Sequence, residues 1–145
     1  MSGYLLDTNV VSELVKPTPD ARVAAWIEAA DEDRLHLSVP TFAESRHGIE
    51  RLPSGAKRDR LRRWLEVDLT DRFAGRVLAV DRAIAETWGV IMARAGALGI
   101  TLPTMDTLLA ATGEQLGLTM VTRNVRDLGR AGVAVVDPWE ATAAG

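Results

Sequence analysis

Five residues of this chain could do chemistry together: Asp7, Glu44, Asp106, Asn124 and Asp127. Asp7 closes the run Tyr4-Leu5-Leu6 and is followed by Thr8-Asn9, while Asn124 leaves the run Leu118 to Thr122. Glu44 and Asp106 stand where helix-like segments open, after Pro40-Thr41 and Thr104-Met105. A short apolar run that stops at Asp-Thr-Asn reads as a buried strand with its exit turn. That turn sets the Asp7 carboxylate at the strand's carboxyl end, where open α/β sheets bind ligands. Several carboxylates at one edge repel unless something positive lies between them, and hard ions such as Mg²⁺ take oxygen ligands. The pattern allows a metal site if the strand order brings these acids together.

Each residue also has a local explanation. Asp7 can cap the next helix by accepting a backbone N–H bond. Thr41-x-x-Glu44 has the form of a capping box, in which the Glu side chain returns to the cap amide. Asp106 in a first helical turn gains ~0.3–1 kcal/mol from the helix dipole. Asn124 suits a turn because it tolerates a left-handed backbone, and Asp127 can be an ordinary surface acid. Spacing alone does not choose between the two accounts.

The elements that must position these residues alternate. Strands are expected at Tyr4–Leu6, Leu35–Val39, Val77–Val80, Leu118–Thr122 and Val133–Val136. Between them fall a short helix from Val10 to Val15 and a second one capped by Asp20, with Val23, Trp26, Ile27 and Ala30 on one face. A third runs from Pro40 to about Leu52, and a fourth past Gly55 carries Leu61, Trp64 and Leu65. A long helix capped by Asp81 holds Ile84, Trp88 and Ile91, and a last one runs from Thr104 to Gly117. Such alternation calls for a parallel sheet covered on both faces. Strand order cannot be read from these patterns.

Composition narrows the classes. With 145 residues, 47% hydrophobic and 26% charged, the chain is expected to be one globular domain over 1–145. The absence of cysteine excludes a disulfide scaffold and a thiolate site. No apolar run reaches the ~18 residues of a membrane span and no signal peptide is recognisable, so a cytoplasmic protein is expected. The net charge of −3 argues weakly against nucleic acid. Setting aside Asp7, Glu44, Asp106 and Asp127 leaves 16 acids against 17 basic residues, 15 of them Arg.

Taken together, Leu6-Asp7-Thr8-Asn9, Glu44 after strand two, Asp106-x-x-x-Ala110-Ala111-Thr112 and Thr122-Arg123-Asn124-x-x-Asp127-Leu128 resemble a PIN domain. More narrowly, the chain is similar to VapC-type toxin ribonucleases of bacterial toxin–antitoxin pairs, over essentially its whole length. The resemblance implies a three-layer α/β/α fold with strand order 3-2-1-4-5, so that the acids of strands one, two and four converge. It implies that Asp7, Glu44 and Asp106 are metal ligands, with Asn124 or Asp127 completing the site. Thr8 and Asn9 would orient ligands, and Arg123 would contact phosphate. Implied besides are Mg²⁺ (with Mn²⁺ able to substitute), an RNA substrate hydrolysed by metal-activated water, a cognate antitoxin and a homodimer.

Rival readings fare worse. An aspartyl phosphatase or a phospho-receiver wants a Lys near a late strand, and none occurs beyond Lys57. Two scattered histidines, His36 and His47, do not suit an acid–base ribonuclease. The basic run Lys57–Arg63 reads as a solvated helix face, with Asp59–Arg63 and Arg62–Glu66 pairs expected at i, i+4. The four tryptophans are expected in core or interface packing. A catalytically weak binding module of the same fold stays open.

Overall fold

The computed structural model describes residues 3–140. Its strands are β1 (Gly3–Leu6), β2 (Leu35–Ser38), β3 (Val77–Leu78), β4 (Leu118–Val121) and β5 (Val135–Val136). Between β1 and β2 run α1 (Thr8–Leu14) and α2 (Ala21–Ala29). Between β2 and β3 run α3 (Val39–Glu50), α4 (Ala56–Arg63) and α5 (Thr70–Arg72). Helices α6 (Arg82–Ala97) and α7 (Thr104–Leu116) precede β4, and α8 (Val125–Arg130) precedes β5.

The five strands form a parallel sheet in the order β3-β2-β1-β4-β5, as the resemblance implied. Tyr4 pairs with Leu35 and Leu6 with Val121, which fixes β1 between β2 and β4. The order reverses between β1 and β4. That switch point opens a crevice at the carboxyl ends of the strands.

Period-two alternation divides the core into two layers. Leu6 and Val121 face one side, against Trp26 of α2, Ile49 of α3 and Phe73. Leu5 and Met120 face the other, against Ile84 and Ile91 of α6 and Leu109 of α7. Neighbouring residues of one strand therefore serve opposite layers, and covering both faces is what a buried parallel sheet requires. The turn into β4 needs Gly117, whose φ of 70° closes α7 in the left-handed region that favours glycine. Among the described residues no helix is long and apolar enough to cross a membrane.

Several expectations need correction. Helix α3 begins at Val39 after Ser38, with Pro40 inside its first turn, where a missing N–H costs little. Thr41 is therefore not the cap, and the capping box is not formed. The helix expected around Trp64 is interrupted, since Trp64–Leu69 winds as a π-helical segment between α4 and α5. Strands β3 and β5 are two residues each, shorter than their apolar runs. Helix α8 is not among the expected elements; with six residues and a glycine inside, it has too little periodicity to be legible. Arg62 pairs with Glu50 on α3 at 2.7 Å, not with Glu66, which instead takes Arg46 at 2.8 Å. Contacts between helices outweigh the spacing within one.

Candidate active site

The carboxyl edge of the sheet gathers its acids from three separate elements. Asp7 leaves β1 and caps α1, accepting from its neighbour Thr8 N at 2.7 Å. Glu44 projects from the second turn of α3, and Asp106 from the first turn of α7. All three line one cleft of about 440 Å³, together with Thr8, Asn9 and Arg123. The two accounts of Asp7 are thus not exclusive: it is a helix cap and a wall of the cleft.

Each carboxylate is held by its own donor. Thr122 Oγ1 donates to Asp7 Oδ2 at 2.7 Å, and Asn9 Nδ2 donates to the same oxygen at 3.1 Å. The Thr8 hydroxyl lies 2.7 Å from Glu44 Oε1, donating to it and drawing α1 toward α3. Asn124 Nδ2 donates to Asp106 Oδ2 at 3.3 Å, while its backbone N–H bonds Thr122 Oγ1. Thr122 is the hub that composition did not reveal. A threonine ending a strand reads as an ordinary β-former, although it belongs to the motif Thr122-Arg123-Asn124.

Asp7 is 1% exposed, and burial pushes its carboxyl up from 3.8 to about 6. The negative charges of Asp106 and Glu44 push in the same direction, against the hydrogen bonds from Thr122 and Thr8. Asp7 thus feels both other acids. Among the described residues no three acidic or histidine side chains stand close enough to ligate one ion in this arrangement. Glu44 and Asp106 are each turned to a neighbouring donor, Thr8 and Asn124. The donor set itself suits a hard divalent cation: it is all oxygen, excessively negative and partly desolvated.

The other named residues fall in different places. Arg123 stands over the Trp139 ring at 4.3 Å on the rim of the cleft. Trp139 itself is buried in the core, as are Trp26 and, in part, Trp64. Asp127 does not line the cleft, and its carboxylate lies 4.0 Å from Arg130. His47 is exposed on α3, and His36 sits near the Tyr4 and Arg34 carbonyls, away from the acids. Sequence reasoning missed Glu13 and Lys16, an ion pair at 2.8 Å on the cleft wall; Glu13 also accepts from Asp20 N. The polar spacing Asn9, Ser12, Glu13 along α1, continued by Lys16 just past its end, was the available signal.

Comparison with known proteins agrees with this fold. The PIN domain family model matches residues 4–133. The chain is 38% identical to a protein named VapC ribonuclease Y4jK from Sinorhizobium fredii, covering 94% of this chain and 97% of the relative. It is likewise 38% identical to toxin FitB from Neisseria gonorrhoeae, over 93% and 97% of the two chains. The crystal structure of FitAcB from Neisseria gonorrhoeae superposes with a TM-score of 0.89 at 38% identity, covering 95% of this chain and 99% of the other.

Proposed function

Since the chain belongs to the PIN-domain family, we propose that it is the ribonuclease toxin of a toxin–antitoxin pair, with one domain spanning 1–145. Asp7, Glu44 and Asp106 would hold a divalent cation, Mg²⁺ or Mn²⁺, by closing from their present spacing in the cleft, and RNA phosphodiester bonds would be cut by water. The observation that carries this reading is the shared cleft of three acids from β1, α3 and α7, two of which raise the pKa of the third. The relative named ribonuclease supports RNA as the substrate class, and the relative named toxin supports a cognate antitoxin as the partner.

A bound divalent cation offsets the charge on phosphate oxygens and makes water acidic enough to attack near neutral pH. The protein's part is positioning. Thr122 and Asn9 fix the orientation of Asp7, Thr8 holds Glu44, and Asn124 holds Asp106. Asn124, not Asp127, is the residue beside Asp106, so its amide takes the fourth position as an orienting donor. Arg123, spread on Trp139, offers a planar guanidinium to a phosphate at the rim.

Attack by water in line at phosphorus leaves the 2′-hydroxyl unused. Incubation of purified protein with total cellular RNA and Mg²⁺ should therefore yield 5′-phosphate and 3′-hydroxyl ends, abolished by EDTA and by Asp7→Asn. Fragments ending in 2′,3′-cyclic phosphate would rule the mechanism out. No cleavage by wild type would leave the binding-module reading.

A further inference from the structure

Residues 46–63 carry seven basic side chains against two acidic ones, whereas the remainder carries 10 against 18. An acidic protein therefore has one strongly basic corner, where α3 turns into α4. Part of that charge is internally balanced: Arg58 and Arg62 both pair with Glu50, at 3.2 and 2.7 Å. Arg51, Lys57, Arg60 and Arg63 are exposed, and no ion pair engages them among the described residues.

Beside this corner lies a second groove, of about 270 Å³, between α1, α3 and α4. Ile49, Leu52, Leu61 and Trp64 give it an apolar and aromatic lining, with Lys57 also on its wall. It is continuous with the candidate active site, because Thr8, Ser12 and Glu44 line both cavities. From Glu44 to Ile49 is about a turn and a half of α3, roughly 8 Å. Two features have no role in the fold itself. Ser45 Oγ, in this wall, has no hydrogen-bond partner among the described residues. Gly48 lies inside α3, where glycine is destabilising relative to alanine, yet a Cβ there would meet nothing within 4 Å. Packing does not demand the glycine, and a side chain at this position of the wall would narrow the groove.

We propose that this groove seats a base of single-stranded RNA flanking the scissile phosphodiester, with Lys57 and the exposed arginines of the α3–α4 corner holding the adjacent phosphates. The inference rests on the ribonuclease reading and specifies where its substrate lies. Charge decides the class of occupant: a polyanion meets the basic corner, and a base meets the apolar floor. Stacking and backbone neutralisation together are how single strands are held without reading sequence.

The test is binding rather than cleavage, with a labelled random-sequence RNA dodecamer in EDTA, so that no strand is cut. Lys57→Ala should weaken binding several-fold and make the dependence of log K on log salt shallower by about 0.7, one phosphate contact on a single strand. Gly48→Leu should weaken it about tenfold, the scale of one stacked base, with the salt slope unchanged. The melting temperature of Lys57→Ala should match wild type, since the site is exposed, and that of Gly48→Leu should match or exceed it, since a mid-helix glycine gains a side chain that faces open space. Wild-type affinity in both variants overturns the proposal. It is equally overturned if they bind RNA normally but lose the co-expressed antitoxin, which would make the groove a protein dock. Groove-dependent binding without Mg²⁺-dependent cleavage by wild type supports this inference while overturning the catalytic reading.

Discussion

Asp7 concentrates the conflict between fold and function in one side chain. It is buried, it caps α1, and it lies in the field of two further acids, so its carboxyl is raised to about 6. Between the unfolded value of 3.8 and about 6 the folded protein keeps a proton that the unfolded chain has lost. Stability therefore falls as pH rises through that window and levels off above it. About two pK units correspond to roughly 3 kcal/mol, an upper figure for the cost of ionised Asp7 without a cation. In EDTA, Asp7→Asn should be more stable than wild type near pH 7 and gain little near pH 4, read from denaturant midpoints at each pH. A difference that is flat across pH would mean that Asp7 carries no such burden. The carboxylates themselves were legible, because each sits at an apolar-run exit or a helix entry. Their donors were not: Thr122 meets Asp7 from 115 positions away, a contact no local spacing encodes.

At the scale of elements, the alternation of strand and helix was readable from β1 to β4, because each has a period that burial imposes. The order of the strands was not, since periodicity shows that a strand is buried and not beside which neighbour. It came from the family resemblance, and the parallel pairings bear it out. Capping signals had mixed success for a physical reason. Asp81 caps α6 as expected, its Oδ1 accepting from Ile84 N at 2.9 Å. Thr41, with an equally good sequence pattern, is buried inside α3 and meets the Thr8 hydroxyl at 3.1 Å instead. Tertiary contact took precedence over the local pattern there. Asp81 lies three residues past β3, the edge strand of the sheet, and outside the cleft. Asp81→Ala should cost about 1 kcal/mol, seen as a lower melting temperature, and leave RNA cleavage unchanged. Loss of cleavage in a folded Asp81→Ala protein would extend the site to a residue assigned here to structure alone.

For the whole molecule, the uneven charge is the organising fact. Acids converge on the carboxyl edge of the sheet, basic side chains crowd the α3–α4 corner, and the net charge of −3 conceals both. Such an edge is stable only to the extent that burial elsewhere offsets its repulsion, and the two core layers on either side of β1 provide that burial. A cation bound between the acids would convert the repulsion into linkage, stabilising the fold in proportion to its binding. The measurement that reaches this claim most directly is a set of thermal melts of wild type and Asp106→Asn, each with EDTA and with millimolar Mn²⁺. The substitution keeps shape, keeps an acceptor for Asn124 and removes one charge. If Asp106 is a ligand, Asp106→Asn should be more stable than wild type in EDTA, by about 1 kcal/mol, the scale of one pK unit. Mn²⁺ should then raise the melting temperature of wild type far more than that of the variant. An Asp106→Asn protein that is less stable in EDTA, yet gains as much from Mn²⁺ as wild type, would make Asp106 a helix-dipole residue and contradict the metal centre.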